Sequence, residues 1–198
     1  MPLEVRSVDG TLLELVLGGI IVRRVDGRLF RARDFAGWEV ASEQEFGERF
    51  CALECRRAFL FCTRRLARRR QHSEELRREL EGRHICSRTV DAVIRRCQDL
   101  GFLSDDDLIQ DFVRIGLASG KSARALIAKA RARGLPLDQV GHHLAEKREG
   151  ESEALRHWIE RRYPELLHKD IDPALRQKYL ARLKRKGFSY ATICQALM

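Results

Sequence analysis

Long apolar runs are missing from this chain. No stretch approaches the roughly 20 consecutive apolar residues of a membrane-spanning helix, and the run from Leu12 to Ile21 is interrupted by Glu14 and Gly18-Gly19. No transmembrane helix is expected. The start, Met1-Pro2-Leu3-Glu4, lacks the basic segment and apolar core of a secretory signal, so the expected location is cytoplasmic. Cysteine is sparse: Cys51, Cys55, Cys62, Cys86, Cys97 and Cys194 are too dilute in 198 residues for a disulfide scaffold. Most fall on predicted apolar helix faces, where they read as reduced core residues.

Metal and nucleotide motifs are lacking too. Cys51 and Cys55 are one helical turn apart, and His84, His142 and His143 offer imidazoles, but a structural zinc site needs a second matched pair that the sequence does not contain. His142, His143, His157 and His168 read as surface residues, and His72 and His84 as cap or loop residues. Gly116-Leu117-Ala118-Ser119-Gly120-Lys121-Ser122 falls one residue short of a phosphate-binding glycine loop, and no buried strand precedes it. No catalytic constellation stands out, so neither enzymatic activity nor a cofactor is expected.

Charge is what the chain has in excess. Charged residues reach 34% against about 25% in an average soluble domain, which suits thin helical layers with much exposed surface. The net charge of +9 favours a polyanionic partner, or a partner already holding one.

Residues 3 to 40 have a β pattern. Leu3 to Val8, Leu12 to Leu17, Ile20 to Val25, Leu29 to Arg33 and Trp38 to Val40 are short segments rich in large or β-branched residues. Asp9-Gly10, Gly18-Gly19 and Asp26-Gly27 between them suit tight hairpin turns, predicting a small antiparallel meander that must lean on other elements.

From Ser42 the period becomes helical. Ser42 and Glu45 form a capping-box pattern ahead of an apolar face with Cys51, Cys55, Ala58, Phe59, Cys62 and Leu66. Ser73 is expected to cap a second helix, and Ser87 to Leu100 forms a third. Gly101 and Ser104 then separate this group from a helix starting near Asp105, with Leu108, Ile109, Phe112, Val113 and Ile115 at helical spacing. A break at Gly120-Lys121-Ser122 precedes a basic helix to Arg133-Gly134. Leu137 to Lys147 follows, then a break at Glu149-Gly150-Glu151, a helix with Leu155, Trp158, Ile159 and Tyr163, and another from Asp172-Pro173 to Gly187. The last, Ser189 to Leu197, is expected to bury Tyr190, Ile193 and Leu197.

His84, Gly134 and Gly187 hold equivalent places, each followed by an apolar residue, at a spacing of roughly 50 residues. The predicted fold is therefore mainly α: an elongated, curved array of three tandem three-helix repeats behind a small antiparallel β segment. Its expected divisions are 1–41 for the β segment, then repeats at 42–101, 102–148 and 149–198. Basic residues mark one helix of each repeat, with Arg64, Arg65, Arg68 and Arg69 in the first, Lys121, Arg124, Lys129 and Arg133 in the second, and Lys184 and Arg185 in the third. Stacked repeats would line these ten up as a stripe suited to a phosphate backbone or an acidic groove. The aromatics read as core, which argues against readout of base sequence.

Particular residues carry a resemblance. They are His72-Ser73, Glu75-Leu76-Arg77 and Leu80 in the first repeat; Gly101, Leu103, Asp105, Asp106, Phe112-Val113-Arg114, Gly120-Lys121 and Arg133-Gly134 in the second; and Arg185-Lys186-Gly187-Phe188-Ser189 in the third. From about residue 50 onward the chain resembles the RecX family, regulators of the bacterial recombinase RecA. It departs from the family at His84, where Gly is usual, at the tighter Ser73 to Leu76 spacing, and at Glu151 and Glu153, which make the start of the seventh helix acidic. The resemblance implies a non-enzymatic, monomeric protein that binds RecA and its filament on single-stranded DNA, inhibits its ATPase, recombinase and coprotease activities, and so acts in DNA repair and the SOS response. The competing reading is an autonomous helical protein that binds DNA without sequence preference; a third is a plain helical scaffold.

Overall fold

Asp9-Gly10 and Gly18-Gly19 reverse the chain twice, with all three glycines at positive φ. The result is a three-stranded antiparallel meander in the order β1 (Leu3–Ser7), β2 (Leu12–Leu17), β3 (Ile20–Asp26). In the first turn the Asp9 carboxylate accepts hydrogen bonds from the Thr11 and Leu12 backbone N–H groups and the Thr11 hydroxyl, which hold its pKa below the usual carboxylate range. Leu3 pairs with Leu17, Val5 with Leu15 and Leu13 with Val25, and the β2–β3 register shifts at Leu15/Val16. A bulge of this kind turns side chains relative to the ladder, and Leu15, Val16 and Leu17 are all buried in succession. The structure, a computed structural model, describes residues 1–168 and 170–198, with Arg148 and Glu149 described by their backbone alone.

The expected fourth and fifth strands do not form. Asp26 O accepts from the Leu29 and Phe30 N–H groups, and the chain then coils into a short 3-10 helix, Ala32–Phe35. That coil brings Phe30 and Phe35 together at 6.2 Å and stacks Phe30 on Phe50 of the first helix at 5.8 Å. An extended segment of alternating side chains could not aim both rings inward. Of Trp38 to Val40, only Glu39 makes an isolated bridge, to Pro2.

The helices among the described residues are α1 (Glu43–Arg68), α2 (Ser73–Glu81), α3 (Ser87–Asp99), α4 (Asp105–Ala118), α5 (Ala123–Arg133), α6 (Leu137–Glu146), α7 (Arg148–Arg162), α8 (Pro173–Arg185) and α9 (Tyr190–Leu197). Ser42 caps α1 by accepting from Glu45 N–H, while the Glu45 carboxylate reaches back to Ala41 N–H. The cap of α2 is His72, not Ser73: its Nδ1 accepts from Glu74 N–H and Ser73 is already helical. The break before α7 lies at Lys147, so Gly150 and Glu151 are inside the helix.

The chain divides into two compact units, Met1–Ser104 and Asp105–Met198. In the first, the sheet and α1 to α3 share one core. Phe46, Phe50 and Leu53 of α1 face the sheet and the aromatic cluster, and Ala58 and Cys62 continue toward Leu76, Val90, Ile94 and Cys97. In the second unit Ile109, Val113, Leu126, Ala130 and Val140 centre α4 to α6, and Leu155, Ile159, Leu183 and Ile193 centre α7 to α9. Buried aliphatic side chains of this kind each contribute about 1.5 to 3 kcal/mol.

One turn recurs. His84, Gly134 and Gly187 all adopt positive φ, at 62°, 68° and 91°, and His84 is the single non-glycine residue to do so among the described residues. The residue after each donates its N–H across the turn: Ile85 to Leu80 O, Leu135 to Ala130 O and Phe188 to Leu183 O. Each of those donors is also a buried apolar side chain. This is the reversed end that left-handed residues give helices, with the following side chain folded under.

Not every inward assignment holds. Ile115 is exposed on α4, and Tyr190, at the first position of α9, is 67% exposed. His143 is buried, with its Nε2 2.8 Å from Asp106 Oδ1. Cys62 and Cys97 lie in the core, Cys51 is exposed, and the other three are half-buried; all six thiols are free.

Candidate interaction surface

The cations of the first unit are less available than their sequence suggests. Arg65 makes a two-pronged pair with Glu79 of α2, at 2.5 and 3.0 Å. Burial pushes the Glu79 carboxyl up, but this guanidinium outweighs it and leaves the pKa below the usual range. Arg57 likewise pairs with Asp34 of the 3-10 helix. The acids absent from the sequence between Arg56 and Arg69 thus arrive from other elements. Arg64, Arg68 and Arg69 remain exposed at the end of α1.

In the second unit α5 does not carry its cations on one line. Lys129 and Arg133, one turn apart, lie over the half-buried Phe112 ring at 5.9 and 5.8 Å. Lys121 sits beside Lys129, and this like charge is the main reason the Lys129 pKa is lowered from its ordinary value. Arg124 departs from this group: it lines a groove of about 990 Å³ with Lys147 and residues of α9. On α8, Lys184 lies 5.5 Å from the exposed Tyr190 ring and Arg185 is exposed. Of the ten predicted residues, the structure gathers Lys121, Lys129 and Arg133 into one cluster and sets Arg124 on another side of the same helix.

Sequence reasoning missed how the two groups of helices in the second unit are joined. Gly120 packs so closely on the Trp158 indole that a Cβ would lie 2.5 Å from the ring. Ser122 caps α5 through Ala125 N–H and donates its hydroxyl hydrogen to Lys186 O at 2.8 Å. Glu151, one of the two acids near the start of the seventh helix, accepts from Ala123 N–H at 2.9 Å and so supplies a second cap to α5. A carboxylate there also meets the positive end of the helix. Gly116, the other glycine of the near phosphate loop, makes room for Leu126. The stretch is a joint built from close packing, not a phosphate cradle.

A second missed element is a cation over an aromatic ring in each helical group. Arg83 lies 4.7 Å from Phe61, Arg133 lies 5.8 Å from Phe112, and Lys186 lies 4.6 Å from Trp158. Each cation directly precedes the left-handed residue already legible as a repeat mark. That alignment was the available signal. Such contacts contribute roughly 0.5 to 1 kcal/mol at exposed sites.

Among the described residues no group of three or more His, Cys, Asp or Glu side chains is placed to hold a metal ion, and no helix is long and apolar enough to cross a membrane.

Comparison with known proteins places this arrangement. Residues 149–197 match the family model described as RecX, third three-helix domain. The regulatory protein RecX of Mycobacterium leprae (strain Br4923) is 31% identical over 147 residues, 71% of this chain and 84% of that protein. The chain belongs to the RecX family. The regulatory protein RecX of Mycobacterium ulcerans (strain Agy99) is 32% identical over 142 residues, 69% of this chain and 80% of its own length. The fold agrees with a crystal structure of regulatory protein RecX, with a TM-score of 0.58 at 14% identity over 98% of this chain and 96% of that one. RecX from Lactobacillus salivarius gives 0.56 at 18% identity over 74% of this chain and 96% of that one. A RecX helical-repeat fold behind a three-stranded sheet, and a regulatory role, are thereby established for this chain.

Proposed function

We propose that this RecX-family chain is a non-enzymatic, monomeric, cytoplasmic regulator that binds RecA and its filament on single-stranded DNA and inhibits the ATPase, recombinase and coprotease activities. The observation that carries the reading is the like-charge cluster of Lys121, just ahead of α5, with Lys129 and Arg133 of α5, in a chain of this family. A fold gains nothing from crowding two ammonium groups, since like charges close together are repulsive; an anionic surface of a partner would reverse that sign. Lys184 and Arg185 add positive charge on α8 of the same unit, and Arg64, Arg68 and Arg69 add it on α1. Arg65, held by Glu79, contributes less than its neighbours.

The test is the ATPase rate of RecA from the same organism on single-stranded DNA, titrated with this chain well below one per RecA. Strong inhibition is expected. Reversal of four charges, Lys121→Glu, Lys129→Glu, Lys184→Glu and Arg185→Glu, should abolish it with an unchanged circular-dichroism spectrum; inhibition that persists in that variant sinks the assignment of these residues.

A second reading, autonomous binding to single-stranded DNA, is favoured by one observation. Tyr190 is an exposed ring beside Lys184, the pairing of a base-stacking surface with a cation that such binding uses. It requires strongly salt-dependent DNA binding without RecA.

A further inference from the structure

Five of the six cysteines lie on α1, on α3 or at the start of α3, away from the cations assigned above. Cys86 is the N-cap of α3 and makes no side-chain capping bond. A thiolate there would meet the positive end of a 13-residue helix. Its Sγ lies 3.1 Å from the Thr89 hydroxyl, and Cys55 of α1 donates its S–H to the same oxygen at 3.9 Å. Thr89 in turn donates its hydrogen to Glu54 at 2.6 Å, so its oxygen is left to accept from both thiols. Two sulfurs from different ends of the repeat therefore face one atom. Thr89 and Glu54 are buried, whereas Cys55 and Cys86 are half-buried and open to a small reagent from solvent.

The two thiols are not equivalent. Burial, with Cys51 and the Glu54 carboxylate adding to it, pushes the Cys55 thiol up. That keeps Cys55 protonated and withholds it from a first attack. Its proton nonetheless has a path, from Cys55 to the Thr89 oxygen and from Thr89 to the Glu54 carboxylate. Packing alone needs no such arrangement: Cys62 and Cys97, both fully buried, serve between α1 and α3 as small apolar side chains.

We propose that Cys86 and Cys55 are a dithiol pair that closes to a disulfide on meeting a low-molecular-weight disulfide such as oxidised glutathione, fastening α1 to the start of α3. Cys86, its proton lost to solvent, attacks one sulfur of the reagent, forms a mixed disulfide and releases one glutathione thiolate. Cys55 then attacks the Cys86 sulfur as its proton passes through Thr89 to Glu54, and the second glutathione thiolate leaves. Two protein thiols are oxidised and one disulfide is reduced to two thiols, which take up the two protons through solvent. The device belongs to the first unit and stands whether or not the chain acts on RecA.

The experiment is incubation of the reduced full chain with excess oxidised glutathione, in a Cys51→Ser background so that the exposed thiol does not compete. Remaining thiols are blocked with N-ethylmaleimide in denaturant, and the products are mapped by mass spectrometry. The expected product has Cys55 and Cys86 closed to N-ethylmaleimide, neither carrying glutathione, and one peptide pair joined through them. Cys55→Ser in the same background should stop at one glutathione held on Cys86. Thr89→Val should slow closure of the mixed disulfide at least about tenfold, as loss of a positioned proton acceptor does, and Thr89→Ser should restore it. Circular-dichroism melting shows whether Thr89→Val is folded; if it is not, the Cys55→Ser trap decides alone. Both thiols still open to N-ethylmaleimide, glutathione held on Cys86 without closure while Cys55 is present, or a disulfide between any other pair overturns the proposal. Closure at an unchanged rate in folded Thr89→Val overturns the relay through Thr89 and Glu54.

Discussion

The two units fasten a three-helix group to its neighbour in different ways, using the same corner of the helical repeat. In the second unit, Lys186 covers Trp158, and the indole is pressed against Gly120 of the preceding helices. In the first unit, Arg83 covers Phe61, and its guanidinium pairs with Asp26 at the end of β3 at 2.8 Å. A sheet therefore stands against the first repeat where helices stand against the third. The first joint is also polar inside: Glu54, 2% exposed, accepts from the Thr89 hydroxyl at 2.6 Å and pairs with Arg23 of β3 at 3.2 Å. The second relies on shape. The repeat corner specifies that something must be covered, and the neighbour decides whether charge or close contact does so.

Four substitutions probe that contrast. The largest effect is expected from Gly120→Val, which adds a branched side chain against the indole and strains a φ of 72°. Overpacking and strain together should cost about 3 kcal/mol, read by urea unfolding. The loss should fall on the second unit, with the hydrogen-exchange protection of residues 1–104 unchanged; loss of protection in both units would show that the joints are not independent.

A smaller effect distinguishes the recurring turns. His84→Gly removes a left-handed strain of about 1 to 2 kcal/mol but adds backbone freedom to the unfolded chain, for a net gain of about 0.5 kcal/mol. Gly134→Ala should lose about 1 kcal/mol by the same reasoning in reverse. Thermal melting checks both. A loss in His84→Gly would mean that the imidazole has a task in the first unit that glycine does not have in the second.

The smallest effect is electrostatic. The Lys129 pKa lies below its ordinary 10.5 because Lys121 is beside it, so the charged form is disfavoured in the fold. The pair therefore opposes stability at neutral pH, and that opposition fades as pH rises through the lowered pKa toward 10.5. Lys121→Gln should raise the Lys129 pKa and flatten this pH dependence, measured by NMR of the lysine side chains. An unmoved Lys129 resonance would show that the two ammonium groups do not meet in solution.

Much of the fold was legible because its signals are local. Hairpin glycines, helix caps and apolar periods depend on residues a few positions apart, and the repeat mark at His84, Gly134 and Gly187 survives a change of residue because the turn needs a conformation that histidine can also adopt. The regions that misled are those where distant residues decide. Leu29 to Arg33 has strand-forming residues, yet the need to bring Phe30 and Phe35 into one aromatic cluster coils it. Glu54 reads as an ordinary exposed acid of α1 until Arg23 and Thr89 close over it. Of the cationic surface, composition indicated the helices but not the pairing of Arg65 with Glu79, which is set by a side chain of another element, nor the groove that Arg124 lines.

The indole at Gly120 has a practical consequence. The chain has two tryptophans, Trp38 and Trp158, and they fall one to each unit. Trp38 stands edge-on to Phe35 and Phe46 beside the sheet, with the Arg49 guanidinium 4.6 Å from its ring; Trp158 is wedged between a backbone turn, Tyr163 and an ammonium group. Two indoles so differently surrounded emit as separate reporters. Replacing either by phenylalanine leaves a fluorophore that registers melting, or the arrival of a partner, in one unit alone, without attaching a dye.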